Sequence, residues 1–264
     1  KNIFIYEYID HVDPKITASD SGVKTLLKLK DFVFSGTSDF VIASATELEK
    51  EAIEAVGKDK VVSIPNGVEV EHYRNFDHQS VQLPCKYINF RKKHKKIVGY
   101  FGALAPWLWY SEINKLAHTR SDLGFVFIGP DYLYGSTKLA KLENILYLGT
   151  VDYKILPAYA DKFDICFIPF EPGEIAHTTS PLKLFEYFAL EKPVVTTSFM
   201  NECIAFEEVF HGDTVETLSR AIDKAFSTKD NPTYKTQLAH LADQNSWIER
   251  AKNLEFLFEE LKKK

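Results

Sequence analysis

The sequence has few cysteines, and no motif pairs them. Cys85, Cys166 and Cys203 are odd in number and form no C-x-x-C pair, so we expect neither a disulfide framework nor a zinc site. The chain also shows no Asp-rich run of the kind that would collect a metal ion. This cysteine usage favours a reducing compartment, the cytoplasm.

Long hydrophobic runs and a basic excess are also missing. No apolar run approaches the ~20 residues that a membrane-spanning helix needs, and the first residues lack a signal-peptide pattern. The formal net charge is −5, whereas a domain that binds phosphate backbones usually carries a strong basic excess. We therefore expect no nucleic acid among the partners.

Short apolar runs are what the sequence does have. The 264 residues, 45% of them hydrophobic, suffice for one large domain or two small ones. The runs are rich in Val, Ile and Phe and do not alternate with polar residues, as is typical of strands buried on both faces of a parallel sheet. They cover residues 3–6, 40–44, 61–64, 97–101, 125–128, 145–148, 165–169 and 194–197.

Segments of helical character lie between these runs, at residues 47–56, 154–161 and 216–226. Ser44 and Glu47 have the spacing of a capping box at the start of the first of them. The alternation predicts a doubly wound α/β architecture, in which ligands bind beyond the carboxyl ends of the strands. We therefore expect the functional residues in loops that follow strands.

One polar segment without periodicity, residues 76–96, separates about three predicted strands from about five, and we interpret it as an interdomain linker. Its basic run, residues 91–96, also fits an anionic lipid surface, but we favour a solvated linker. Behind a capping box at Ser246 and Glu249, apolar residues recur at helical spacing. Such a terminal helix packs on its own domain or crosses back to the first one, and periodicity does not separate the two.

The strongest chemical signal follows the predicted strand at residues 165–169. Ser180 and Pro181 have the residue types of an N-cap and a first helical position. A helix N-terminus attracts a diphosphate, and Lys183 in the first turn would add a full charge. Glu186, one turn further on, suits a vicinal diol such as ribose. A plain surface Lys–Glu pair at this spacing is an equally good interpretation of these residues alone.

Two glycine loops are weaker signals. Gly102 follows a strand at a point where backbone can approach a ligand closely. Gly129, before a proline, is most often only a turn. Neither loop has the G-x-G-x-x-G pattern of dinucleotide-binding enzymes, which disfavours an oxidoreductase.

Taken in order, these motifs resemble family 4 glycosyltransferases over nearly the whole chain. The motifs are IPNGV (64–68), GYFG (99–102), FIGP (127–130), NILYLG (144–149), LPAY (156–159), FDICFIPF (163–170), SPLK (180–183) with Glu186 and Tyr187, and KPVV (192–195). The SPLK form is similar to that of bacterial cell-surface polysaccharide transferases. Each motif is modest, and their order and spacing make the match specific.

The resemblance implies a GT-B fold, an α/β architecture of two Rossmann-like domains facing one another across a cleft. Residues 1–75 would be the C-terminal part of the N-terminal, acceptor-side domain, and residues 97–245 the complete donor-binding domain. Residues 76–96 would link them, and residues 246–264 would form the terminal helix. The chain would begin near the fourth or fifth strand of the first domain and so lack that domain's glycine-rich loop.

The resemblance also implies a donor site. Glu186 would hold the ribose hydroxyls, and Thr150 and Val151 would meet the base through backbone groups. The diphosphate would lie against the glycine loops and the helix start, that is, against Gly102, Ala103, Gly129, Thr178, Thr179, Ser180, Pro181, Leu182 and Lys183. Asp10, at the end of the first predicted strand, is either a contact to the donor sugar or an ordinary loop acid. We name no catalytic base.

The implied activity is transfer of a sugar from a nucleoside diphosphate sugar, UDP in preference to GDP, with retention and without a metal or further cofactor. The acceptor would be a glycan or a lipid-linked glycan, with the whole enzyme peripheral at the inner face of the cytoplasmic membrane. This chain alone is expected to bind the donor without turnover. A nucleotide-sugar epimerase of GT-B fold and a non-catalytic binding subunit are the alternatives, and acceptor-dependent turnover separates them from a transferase.

Three departures from the family pattern are visible. Thr178 stands where many members carry the first Glu of an E-x7-E motif, so contacts to the sugar would differ. Residues 103–110 lack the Arg and Lys that many members have there, so Lys183 would supply the charge. Glu191 stands where a glycine commonly ends the helix, in a left-handed conformation that disfavours other residues.

Overall fold

The computed structural model describes residues 3–13 and 20–263. Residues 1–2, 14–19 and 264, which fall in the predicted first domain and terminal helix, lie outside the described residues. Two parallel sheets organise the described chain. The strands are β1 Ile5–Tyr8, β2 Phe40–Ala43, β3 Val61–Ser63, β4 Ile97–Phe101, β5 Gly124–Ile128, β6 Ile145–Tyr147, β7 Ile165–Ile168, β8 Val194–Thr197 and β9 Phe210–Gly212.

Helices connect the strands throughout. They are α1 Asp20–Phe32, α2 Thr46–Val56, α3 Val70–Arg74, α4 Cys85–Lys93, α5 Tyr110–Thr119, α6 Leu156–Ala160, α7 Glu174–Thr178, α8 Leu182–Ala189, α9 Asn201–Ile204, α10 Val215–Thr228, α11 Pro232–Gln244 and α12 Trp247–Lys263. Shorter helical turns lie at Val33–Thr37, Lys58–Lys60, His78–Ser80, Gly135–Lys138 and Tyr153–Ile155. None of the described helices is both long and apolar enough to cross a bilayer.

The larger sheet has the strand order β6-β5-β4-β7-β8-β9. Its order reverses at β4, which pairs with β5 on one side and β7 on the other. This is the order of the doubly wound dinucleotide-binding fold, whose ligands bind at the carboxyl ends of the strands where the order reverses. The predicted α/β class is confirmed, and the sheet directs attention to the loops after β4 and β7.

The smaller sheet has the order β1-β2-β3, also parallel. Each sheet has its own hydrophobic core, the smaller one around Tyr8, Val41 and Leu48. The larger core also contains Val68, Tyr73 and Tyr87, from the segment between the sheets. The domain boundaries at residues 75 and 96 stay a prediction, and these side chains show that the connecting segment packs on the larger sheet.

The connecting segment contains a helix where its sequence predicts an aperiodic linker. Helix α4 begins after Pro84, whose φ of −60° suits an N-cap position, and Tyr87 is the one residue of α4 that is buried. The Tyr87 hydroxyl donates to the carbonyl of Tyr159, at 3.0 Å. A helix anchored through so few apolar residues has no readable period, which is why the pattern missed it.

Local capping also differs from the prediction at α2. Ala45, not Ser44, is the N-cap residue, and it makes no side-chain capping bond. The Ser44 hydroxyl instead donates to the carbonyl of Ile9, at the end of β1. The N-terminus of α2 is met from the other half of the molecule, because Glu202 accepts a 2.6 Å hydrogen bond from the N–H of Thr46.

The terminal helix α12 starts beside the first sheet. Ser246 caps it by accepting from the N–H of Glu249, at 3.3 Å, as the sequence predicts. At its first residue, the Trp247 N–H donates to the Val68 carbonyl, at 3.0 Å. Its next turns, through Ala251 and Leu254, line a cavity of about 270 Å³ together with Ile9 and Ile42 of the smaller sheet.

Candidate functional site

The carboxyl ends of β4, β5 and β6 approach one another through glycines. Gly102 donates its N–H to the Ile128 carbonyl, and Gly129 donates to the Gly149 carbonyl, both at 2.9 Å. A Cβ atom on Gly129 would lie 2.0 Å from the carbonyl oxygen of Gly102, so only glycine fits there. The structure thus brings together two of the predicted loops, including Ala103, whose carbonyl accepts from the Tyr100 hydroxyl at 2.9 Å.

Helix α8 starts at the same edge, after β7 and the short helix α7. It begins at Leu182, one residue later than predicted, with Pro181 at the N-cap position and no side chain capping it. The first backbone N–H groups of a helix, here those of Leu182 and Lys183, have no acceptor within the helix. This helix start is therefore open to an anion.

Lys183 reaches from α8 to the glycine loop after β4. A Cβ atom at Gly102 would lie 2.9 Å from Cε of Lys183, so the glycine leaves room for this side chain. Its Nζ lies 5.2 Å from the ring centre of Phe170 and 5.8 Å from that of Tyr100. Burial lowers the pKa of Lys183, and Glu186 opposes that shift. Within residues 3–13 and 20–263, Nζ has no hydrogen bond or ion pair.

Glu186 lies one turn further along α8 and faces the segment that connects the sheets. Its Oε1 accepts a 2.6 Å hydrogen bond from the hydroxyl of Tyr73. Burial raises the pKa of Glu186, while the hydrogen bond from Tyr73 and the charge of Lys183 act in the opposite direction. Sequence reasoning assigned no role to Tyr73, because nothing local connects it to a residue 113 positions away.

Thr178, Thr179 and Ser180, which precede Pro181 and α8, differ in what they offer a ligand. Thr178 is buried, and its hydroxyl donates to the Glu174 carbonyl at 2.6 Å, so its hydroxyl hydrogen is already engaged inside α7. Thr179 uses its N–H to bond the Ile175 carbonyl, at 3.1 Å. The carbonyl of Ser180 accepts from Nδ2 of Asn66, at 2.7 Å. Asn66 belongs to the IPNGV motif, which was the available signal for it.

Thr150 and Val151 follow β6, the strand at one edge of the larger sheet. Tyr153, two residues further on, stacks on His72 with ring centres 4.3 Å apart. It also meets the ring of Tyr73 edge-on, at 6.1 Å. Tyr73 therefore lies between the loop predicted to meet the base and the carboxylate predicted to meet the ribose.

Asp10 follows β1, at the carboxyl end of the smaller sheet. Burial raises its pKa, and none of the contacts described for it joins it to α8. Asp13, three residues further on, lines a small cavity with Gly173 and Glu174 from the loop after β7. Residues that follow β1 and residues that follow β7 thus meet at this cavity, and the role of Asp10 stays a prediction. The described residues hold no group of His, Cys, Asp or Glu arranged to bind a metal ion.

These features define a class of protein. A Rossmann-like sheet with an open helix start at its reversal point faces a second parallel sheet, which is the GT-B fold of nucleotide-sugar-dependent transferases. The chain belongs to the family described as glycosyl transferases group 1, which matches residues 95–227.

Relatives of known sequence and structure agree with this family. A Bacillus subtilis (strain 168) protein, TuaH, provisionally named a teichuronic acid biosynthesis glycosyltransferase, is 29% identical over 220 residues, which are 80% of this chain and 54% of that protein. The chain thus spans about half the length of this curated relative.

Solved structures share the fold at low sequence identity. HepE of Anabaena in complex with UDP-glucose has a TM-score of 0.72 at 15% identity, over 98% of this chain and 72% of that chain. WaaG, a glycosyltransferase involved in lipopolysaccharide biosynthesis, has a TM-score of 0.65 at 14% identity, over 96% of this chain and 75% of that one. The predicted GT-B fold is confirmed.

Proposed function

We propose that the protein transfers a sugar from a nucleoside diphosphate sugar to a hydroxyl of a glycan or lipid-linked glycan, with retention of the anomeric configuration. The observation that carries the proposal is the meeting of Lys183 and the start of α8 with Gly102, at the reversal point of the sheet. Glu186 stands one turn beyond, where a ribose would follow the diphosphate.

The charge on the leaving diphosphate is the main electrostatic demand of this reaction. The N-terminus of α8 offers about half a positive charge, and Lys183 offers a full one from a partly buried position. Donors held in place before the reaction stabilise the developing charge without reorganisation. We propose that these groups serve the leaving diphosphate and that the transfer needs no metal.

We favour UDP as the nucleotide and a cell-surface polysaccharide as the product. The Anabaena neighbour is solved with UDP-glucose, and the Bacillus relative is named for teichuronic acid biosynthesis. We further propose that the enzyme works in the cytoplasm and docks on the inner face of the membrane. A cavity of about 380 Å³ supports docking, because it combines apolar side chains with basic ones, as an anionic lipid surface requires. Its lining includes Leu83, Ile88, Arg91, Lys92, Lys95 and Lys162.

Calorimetric titration with UDP, GDP and inorganic phosphate tests the donor site. We expect saturable binding of UDP and weaker binding of GDP. Glu186→Ala should weaken UDP binding by about tenfold or more, because it removes hydrogen bonds to a charged acceptor. Glu191→Gln, a carboxylate change at the other end of the same helix, is the matched control and should bind as the unaltered chain does.

Two results would contradict the proposal: no nucleotide binding, or UDP binding that Glu186→Ala leaves unchanged. Donor turnover then separates the reaction classes. A transferase consumes UDP-sugar in the presence of an acceptor, whereas an epimerase needs none and a binding subunit turns nothing over.

A further inference from the structure

The contact between Tyr73 and Glu186 joins two parts of the chain with different tasks. Tyr73 lies on α3, in the segment that leads from the smaller sheet to the larger one. Glu186 lies on the helix that carries the proposed donor site. A hydrogen bond of 2.6 Å from a phenol to a carboxylate is of the charge-assisted kind, which is stronger and more directional than a neutral one.

Tyr73 is itself held from several sides, so its hydroxyl has a fixed direction. Only 1% of the residue is exposed. Its ring lies parallel to that of Phe101 at the end of β4, with 6.4 Å between centres and 7° between planes. Tyr153 meets it edge-on. The ring therefore cannot turn away from Glu186 without disturbing this packing.

The same packing continues to α8. The ring of Phe101 meets that of Tyr187 edge-on at 4.6 Å, and the Phe101 N–H donates to the Tyr187 hydroxyl at 3.0 Å. Tyr187 is the immediate neighbour of Glu186. These contacts thus pack the connecting segment against the end of β4 and against helix α8, next to the Glu186 carboxylate.

A ribose diol makes specific demands on such a carboxylate. The group must be ionised to accept from both hydroxyls, and it must point in one direction. Burial works against ionisation by raising the pKa of Glu186. The hydrogen bond donated by Tyr73 favours the ionised form, and so do the charges of Lys183 and His72. Because the Tyr73 bond engages Oε1, it leaves Oε2 and a second lone pair on Oε1 for the diol.

We propose that Tyr73 is a positioning residue for Glu186, holding the carboxylate oriented and ionised for the ribose hydroxyls of the donor. This inference rests on the proposed function. It makes donor affinity depend on the connecting segment, because Tyr73 occupies its place only when that segment packs on the larger sheet.

Tyr73→Phe tests this, since it removes the hydroxyl and keeps the ring. We expect UDP to bind about tenfold more weakly, the effect of one buried hydrogen bond to a charged group. The acid limb of the affinity-against-pH curve should move to higher pH, because Glu186 without its donor is protonated more readily. For 2′,3′-dideoxy-UDP, which lacks the diol, Tyr73→Phe should bind as well as the unaltered chain.

Tyr87→Phe is the matched control. It also removes a buried hydroxyl, which bonds the Tyr159 carbonyl, and it should change thermal stability without changing UDP affinity or its pH curve. Equal weakening of UDP and dideoxy-UDP by Tyr73→Phe would reduce Tyr73 to a structural residue and overturn the inference. Unchanged UDP binding would overturn it too, and if Glu186→Ala still weakened UDP, the proposed function would survive. If the unaltered chain did not bind UDP, that result would contradict the proposed function itself.

Discussion

At the scale of single residues, Glu191 departs from the preference for glycine in the left-handed conformation that ends a helix. It follows α8 with a φ of 54°, in the left-handed region where glycine is preferred. Its N–H still makes the bond that ends the helix, to the Phe188 carbonyl at 2.9 Å. The resemblance to the family predicted this position, at which a glycine commonly ends the helix.

Glu191→Gly is therefore expected to stabilise the fold. A left-handed conformation costs a residue with a side chain about 1 kcal/mol relative to glycine, so the free energy of unfolding should rise by about that amount. Thermal unfolding would show this as a shift of roughly 2–4 °C. Glu191→Ala keeps the strain and removes only the charge, so a rise of equal size in that variant would contradict the explanation.

Residues that act over long separations could not be predicted in this way. Lys183 and Glu186 were identified because helix-start chemistry and spacing are local. Asn66 and Tyr73 contact the same loop and helix from 114 and 113 positions away. Asn66 stands in the IPNGV motif and Tyr73 in none of the motifs, and only the packing of the connecting segment on the larger sheet reveals what the two side chains contact.

At the scale of elements, the strands were the most predictable feature. Eight runs correspond to β1–β8, with β1 displaced by two residues, because continuous apolar stretches mark strands buried on both faces. Strand β9 was missed. It has three residues, Phe210–Gly212, at the edge of the sheet and includes a partly exposed Phe and an exposed His, so it lacks the apolar run that a central strand needs.

The element-scale prediction about the membrane concerns helix α4 and Lys95, which stands two residues beyond its end. Lys92 and Lys95 are exposed and, across the described parts of the chain, form no ion pair, whereas Arg91 is engaged by Asp164 at 2.7 Å. Each cation near an anionic surface contributes about 1 kcal/mol. Lys92→Glu with Lys95→Glu should therefore lower binding to phosphatidylglycerol-containing vesicles by at least about tenfold in a sedimentation assay.

A control separates a docking surface from net charge. Lys28→Glu with Lys58→Glu makes the same change in total charge at exposed positions on α1 and on the turn Lys58–Lys60, which belong to the part of the chain around the smaller sheet. If both double variants lose vesicle binding alike, or if the unaltered chain ignores anionic vesicles, α4 is not a membrane surface. Neither double variant should bind vesicles of pure phosphatidylcholine.

At the scale of the whole molecule, the described residues pass between the two sheets in two segments, and these two segments are in contact. Val68 donates its N–H to the Asn245 carbonyl at 3.0 Å, and Arg74 pairs with Asp243 at 2.9 Å. Arg250 of α12 adds a 3.3 Å hydrogen bond to the Asn66 carbonyl. The sequence left open whether α12 returns to the first sheet, and these contacts join its start to the segment that follows β3.

Gly67 lies where the crossings are closest. A Cβ atom there would meet Trp247 N at 3.0 Å and Asn245 O at 3.1 Å. We expect Gly67→Ala to lower the free energy of unfolding by about 1 kcal/mol and Gly67→Val by about 3 kcal/mol. The atoms that an added side chain would meet belong to the backbone, which cannot move aside as a flexible side chain can, and valine adds more atoms than alanine. UDP affinity should fall in the same order, because Asn66, next to Gly67, holds the Ser180 carbonyl. Denaturant unfolding and titration would measure both, and a valine variant as stable as the alanine variant would contradict close contact.

The sequence by itself determined the parallel α/β class and the helix start, to within one residue, beside Lys183 and Glu186 of the proposed donor site. These follow from hydrophobic period, turn residues and helix-terminus chemistry, all of which act over a few positions. The tertiary structure alone decided that α4 is helical, that α12 lines a cavity with residues of the smaller sheet, and that Asn66 and Tyr73 bond Ser180 and Glu186. Such contacts depend on how the two sheets sit against each other, and that arrangement is set by packing among residues more than a hundred positions apart.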